Sequence, residues 1–153
     1  MQRLPLVVFT AILTTLVAVN IGSAEPTAED QIKYRQALME SMAGHIEILS
    51  YMAFNKIEKN EFYQSHADAL ANATAELKWA FPEGSGEGET DALPAIWENP
   101  DDFNTARSTA EQAFAGLRDA VAGDDATAVI SAFSAAGKSC KGCHETYRVE
   151  HEH

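Results

Sequence analysis

The stretch from residue 126 to residue 147 constrains this chain more than any other. Ala126, Val129, Ile130, Phe133, Ala136, Cys140, Cys143 and Tyr147 recur mostly at steps of three and four, the stripe of a helix that buries one face. The two cysteines of the chain both stand on that stripe. Any fold this sequence adopts must therefore bring two thiols to its interior from a single helix near the C-terminus.

Three more helical stripes precede it. In the first, Thr27 with Asp30 three residues later forms a capping box, and Ile32, Arg35, Met39, Met42, Ile46, Leu49 and Ala53 follow. A second helix, over about residues 61–79, carries Phe62, Ala69, Ala73, Leu77 and Ala80 on one side. Pro82 and the glycines of Gly84-Ser85-Gly86-Glu87-Gly88 end it. The loop that follows runs to Glu98, a length that in a compact domain points to function or mobility. The third helix has Asn99 as N-cap, Pro100 at its first position and Asp101 and Asp102 in its first turn, with Phe103, Ala106, Ala110, Ala113, Phe114, Leu117 and Val121 inward. Gly123 stops it and Asp124 caps the last helix. Four amphipathic helices with one long connection predict an all-α antiparallel four-helix bundle, a fold whose core commonly houses cofactors.

On a helix, Cys140, Cys143 and His144 leave one face within one turn and can address one object. C-x-x-C-H is the attachment sequence of c-type haem, with two thioethers to the porphyrin and the adjacent histidine placed to ligate the iron. The competing readings are weaker. A dithiol oxidoreductase places C-x-x-C at a helix N-terminus, where the dipole lowers a thiol pKa. A zinc site lacks a further paired motif, since the terminal His151-Glu152-His153 is too short and frayed. A disulfide between Cys140 and Cys143 is awkward within a regular helix.

The N-terminus bears on compartment. Arg3, the apolar run from Leu4 to Val19 and the small residues Gly22-Ser23-Ala24 read as an export signal cleaved before Glu25. The run is shorter than the roughly 20 residues a spanning helix needs. The periplasm is the expected location, without membrane attachment after cleavage. The domain is then residues 25–153, one core in size, and losing Arg3 takes the net charge of −12 to −13. That balance excludes nucleic acid and anionic membrane surfaces as natural partners.

At these positions the chain resembles the class II cytochromes c, the cytochrome c' family. The likeness rests on the export signal, Lys33-Tyr34-Arg35-Gln36 with Met39 on the first helix, Trp79-Ala80-Phe81-Pro82 before the glycine-rich loop, Ala95-Ile96-Trp97 after it, and Cys140 to Arg148 at the end. It implies a haem-filled four-helix bundle in the bacterial periplasm, often an antiparallel homodimer, with one covalent haem c. Carried over, Cys140 and Cys143 hold the haem and His144 is the proximal iron ligand. Arg148 lies near the proximal face, Arg35 and Gln36 contact the haem edge and its propionates, and Asp91 reaches the haem periphery or is simply solvated. Arg35 falls on a buried stripe, where an unpaired cation is costly. A propionate would satisfy it, or a salt bridge at the bundle end. Trp79, Phe81 and Trp97 pack around the haem and loop, or are plain core.

Met39 decides the branch. The family packs an apolar side chain over the sixth coordination position, leaving five-coordinate iron open to nitric oxide or carbon monoxide, whereas low-spin relatives use a methionine there as sixth ligand. Tyr34-Arg35-Gln36 looks more like the five-coordinate branch. The resemblance therefore implies a cytochrome that transfers electrons to periplasmic redox partners, binds small gases, or does both. It is not read as an enzyme: a peroxidase-like role would want a distal acid-base pair, and Met39, Met42 and Ile46 offer none. His45 and His66 read as surface or half-buried histidines and Met52 as core. A purely structural bundle with an incidental motif is the remaining alternative.

Overall fold

The structure, a computed structural model, describes residues 25–150. The proposed export segment and the terminal His151-Glu152-His153 lie outside the described residues. Among the described residues five α-helices form: α1 (Ala28–Ala53), α2 (Tyr63–Glu76), the short α3 (Ala95–Glu98), α4 (Pro100–Ala122) and α5 (Ala126–Tyr147). The four long ones make an all-helical four-helix bundle, and among the described residues there is no β-strand, only an isolated bridge.

Local chemistry accounts for most boundaries. At the start of α1 the Thr27 hydroxyl accepts from the Asp30 amide at 3.1 Å, while the Thr27 amide donates to the Asp30 carboxylate at 3.0 Å. This closes the capping box. α4 begins with Pro100 at its first turn beside Asp101 and Asp102, where a missing N–H costs nothing and negative charge meets the positive end of the dipole. Asn99 occupies the cap position without a side-chain cap bond.

Three details differ from the sequence reading. The cap of α5 is Asp125, whose Oδ1 accepts from the amides of Thr127 and Ala128 at 2.8 and 3.2 Å. Asp124 takes the left-handed conformation (φ 53°) instead and pairs with Lys59 at 2.7 Å. Ala73, Leu77 and Ala80 of the second stripe are buried as expected, joined by Tyr63, Ala67, Leu70, Ala71 and Thr74, but Phe62 is exposed. The helix starts one residue later than that aromatic, which leaves it outside the buried face. Ile130, assigned to the buried face of α5, is also exposed.

α1 packs along α2, α2 along α4 and α4 along α5, whereas α1 and α5 scarcely touch. The closed seams bury Leu49, Leu70, Phe114, Leu117 and Val129 almost completely. Each such side chain contributes about 1.5–3 kcal/mol by leaving water. Between α1 and α5 the bundle opens.

A 3-10 turn, Leu77–Trp79, leads from α2 into the loop that spans this opening. Two glycines there are required by space or backbone. A Cβ on Gly86 would sit 2.8 Å from the Trp97 ring, and Gly88 adopts φ 127°. The loop is tied to the end of α5: Ala92 and Arg148 form an antiparallel bridge, the Leu93 amide donates to the Tyr147 carbonyl at 3.0 Å, and the Val149 amide donates to the Asp91 carbonyl at 2.8 Å.

Candidate functional site: a cavity between the first and last helices

The gap between α1 and α5 is a cavity of about 600 Å³, within the range of ordinary ligand sites. α5 supplies Cys140, Cys143, His144 and Tyr147; α1 faces them with Gln36, Met39, Met42 and Ile46. Phe103, Ala110 and Phe114 of α4 form the floor, and Phe81, Ile96, Asp91, Ala92 and Arg148 close one end. Helical spacing explains the grouping: residues 140, 143 and 144 share one face, as residues 39, 42 and 46 do.

The electrostatics of the α5 wall follow from burial. Both cysteines are free thiols, and burial pushes each thiol pKa upward, with Cys140 adding to the effect on Cys143. A reactive dithiol needs the opposite shift, so the environment argues against the oxidoreductase reading. Burial, followed by the charge of Arg148, lowers the His144 pKa. The imidazole is thereby held in its neutral form, the one that ligates metal. A chain of edge-to-face aromatics runs behind this wall, Phe81 to Phe103 at 4.8 Å and Phe103 to Tyr147 at 5.1 Å between centroids.

Arg35 is 4% exposed, yet among the described residues no carboxylate pairs with it, so the salt bridge considered for it does not form. Four neutral oxygens accept from its guanidinium: Ala80 O (3.1 Å), Ser85 Oγ (3.0 Å), Ser85 O (2.9 Å) and Thr90 Oγ1 (2.8 Å). Its Cζ lies 5.0 Å from the Phe81 ring centroid and 5.9 Å from that of Trp97, a favourable cation–π geometry. Burial lowers its pKa, but a guanidinium stays charged in proteins. Arg35 thus brings an uncompensated positive charge to one end of the cavity. Beside it, the Gln36 amide donates to Glu89 O at 2.9 Å and Trp97 Nε1 donates to Pro82 O at 3.1 Å.

Of the residues expected at the site, Cys140, Cys143, His144, Arg35, Gln36, Met39, Asp91, Arg148 and Phe81 converge on the cavity. Trp97 stands one layer back, behind Arg35. Trp79 departs from the expectation: it is 68% exposed and lies beneath the Lys78 ammonium, because the 3-10 turn rotates it off the buried side of α2. Sequence reasoning missed Ser85, Thr90 and the Ala80 carbonyl, which hold Arg35. A serine buried among the loop glycines was the available sign. His45 and His66 do not line the cavity.

Two thiols, a neutral imidazole and a mostly apolar cavity with polar side chains at its end fit a covalently held porphyrin, and together they define a helical bundle built around a prosthetic group. The chain belongs to the cytochrome c' family: the family model described as Cytochrome C' matches residues 30–148. With membership comes its cofactor, one covalently attached haem c. A cytochrome c' of Pararhodospirillum photometricum is 31% identical over 121 residues, covering 78% of this chain and 97% of the relative. A cytochrome c-554 of Cereibacter sphaeroides is 40% identical over 130 residues, with coverage of 78% and 93%. Among solved structures, cytochrome c prime from Shewanella frigidimarina superposes with a TM-score of 0.75 at 31% identity, covering 80% of this chain and 97% of that one. The nitric oxide complex of a mutant cytochrome c prime from Alcaligenes xylosoxidans gives 0.75 at 27% identity, with coverage of 81% and 98%.

Proposed function

We propose that the protein is a periplasmic c-type cytochrome whose haem is held by Cys140 and Cys143, ligated by His144 and five-coordinate, serving to bind nitric oxide and other small gases and to pass single electrons. Residues 1–24 are removed on export, and the mature domain begins at Glu25. The observation that carries the reading is the makeup of the two facing walls: thiols and a neutral imidazole on α5, and Met39, Met42 and Ile46 on α1. Bound in that gap, the haem supplies the redox couple and the open iron position.

The chain's own residues divide the remaining work. His144, kept neutral by burial, presents a lone pair. Arg35 and Gln36 hold the loop at the cavity end and leave positive charge where carboxylates of a cofactor edge would be welcome. The apolar α1 wall excludes water and anions while admitting a small neutral gas. Peroxide chemistry wants a histidine paired with an arginine on the α1 wall; among the described residues His144 of α5 is the one histidine lining the cavity, the titratable side chain α1 adds is Glu40, and Arg35 is committed to its four oxygens. The nitric oxide complex of the mutant Alcaligenes xylosoxidans protein supports the gas-binding half, and the redox couple of a haem iron keeps electron transfer beside it. Exposed Phe54, Ile57 and Phe62 around the α1–α2 turn offer apolar area for a homodimer.

One observation favours a second reading. The thioether of Met39 lines the wall opposite His144, and as a sixth ligand it would make a low-spin electron carrier. Optical and EPR spectra of the purified holoprotein in both oxidation states, with and without nitric oxide, test the choice. High-spin iron that binds the gas is expected, with Met39→Leu leaving the spin state unchanged. A methionine-to-iron charge-transfer band that disappears in Met39→Leu would install the second reading. A colourless protein from cells that mature cytochromes c would overturn both.

A further inference from the structure

His45 of α1 and His66 of α2 meet across the seam between those helices, away from the cavity. Their Nδ1 atoms are 2.9 Å apart, their ring centroids are separated by 5.2 Å, and the rings are tilted by 52°. Both side chains are half-buried. Among the described residues no carboxylate hydrogen-bonds either ring, and the nearby Asp68 accepts from Gln64 at 2.8 Å. At that separation one Nδ1–H donates to the lone pair of the other, so at least one ring is neutral and has its Nδ1 lone pair aimed at its neighbour.

We propose that His45 and His66 form a two-imidazole site for a divalent transition metal that takes ligands at right angles, copper(II) above all. Imidazole is a good ligand for copper, nickel and zinc, and copper(II) heads the affinity order for a nitrogen site. With metal–nitrogen bonds of about 2.0–2.1 Å, two nitrogens at right angles stand about 2.9 Å apart, whereas a tetrahedral ion spreads them to about 3.3 Å. The 2.9 Å that the hydrogen bond sets between the two Nδ1 atoms is already near the tetragonal value, so the site needs the rings to turn and neither helix to move. Binding requires the bridging proton to leave Nδ1 and the same ring to gain one at Nε2 from solvent. The rings then turn so that both lone pairs meet off the line between them. Water completes the coordination, reaching the ion through the exposed part of the two half-buried rings. The site would clip α1 to α2 independently of the haem.

Copper(II) titrated into the holoprotein, followed by EPR and thermal melting, tests this. The background should carry His151→Ala and His153→Ala, because the terminal His-Glu-His offers competing imidazoles. A tetragonal copper signal split by two nitrogens is expected. With it should come a higher melting temperature at saturating metal and a loss of about tenfold or more in affinity in His45→Gln and in His66→Gln. Copper affinity equal to background in both variants would overturn the site, as would zinc(II) binding more tightly than copper(II). If either variant loses the native circular dichroism and haem spectrum, the EPR of the unsubstituted pair decides alone, and a signal without two-nitrogen splitting rejects the proposal.

Discussion

Three seams of this bundle are closed by the chain's own side chains, and the fourth is left to something else. Along α2 and α4, Leu70, Phe114 and Leu117 meet with essentially no exposure, and the interior behaves as a close-packed solid. Between α1 and α5 the same helical periodicity delivers residues that do not reach one another: Met39 and Ile46 remain half-buried opposite half-buried Cys140 and His144. Both regions have helical stripes, so the stripe alone does not distinguish a core from a cofactor chamber. Side-chain volume across the seam and the presence of donor atoms do.

The largest effect should come from the open seam. Replacing Cys140 and Cys143 together by alanine removes both thiols proposed to form thioethers, and the protein should yield no haem that resists extraction into acidified organic solvent. Covalent haem surviving in the double variant would place the attachment elsewhere. A closed seam responds through packing alone. Leu117→Ala should cost about 2–5 kcal/mol in urea unfolding while leaving the haem spectrum unchanged, and a spectral change there would show that the two regions are coupled.

Arg35 lies where the two regimes meet. Arg35→Met removes a buried charge but leaves the Ala80, Ser85 and Thr90 oxygens without a donor. A net loss of about 1–3 kcal/mol is expected, with faster proteolysis within residues 82–90 as a second readout. No change in either would mean that the loop holds itself. The smallest effect belongs to the far end of α1. Hydrogen bonds from Thr27 hold the Asp30 carboxyl below its usual pKa, so its contribution is present above the unfolded value of 3.8 and fades as pH falls through the lower folded value. The melting-temperature gap between the wild type and Asp30→Asn should therefore narrow in strong acid. A constant gap would assign the capping to Thr27 alone.

Much of this was legible because it is local. The Thr27–Asp30 box, Asn99-Pro100 and the spacing of Cys140, Cys143 and His144 are all contained within a few residues of chain. What was illegible depends on contacts between distant segments. Leu38, buried in the core, was passed over for Met39 because a wide helical face accommodates both. Phe62 and Ile130 looked internal by composition, but the register that rotates them outward is set by α1 and α4. The partners of Arg35 lie 45 to 55 residues away in sequence, in a loop whose conformation no periodicity encodes. Asp124 and Asp125 are chemically identical candidates, and the left-handed turn at Asp124, anchored by Lys59, selects the second.

The bridge between Ala92 and Arg148 imposes an order on assembly. A chain made from its N-terminus presents α1, α2 and the glycine-rich loop before residues 147–149 have been made. Until they arrive, the loop has its ties to Arg35 and Gln36 of α1 but lacks the Leu93–Tyr147 and Asp91–Val149 hydrogen bonds. The doorway of the chamber is finished by the last helix, the one that brings the two thiols. The opening thus stays unlatched on that side until the helix that carries both thiols is in place.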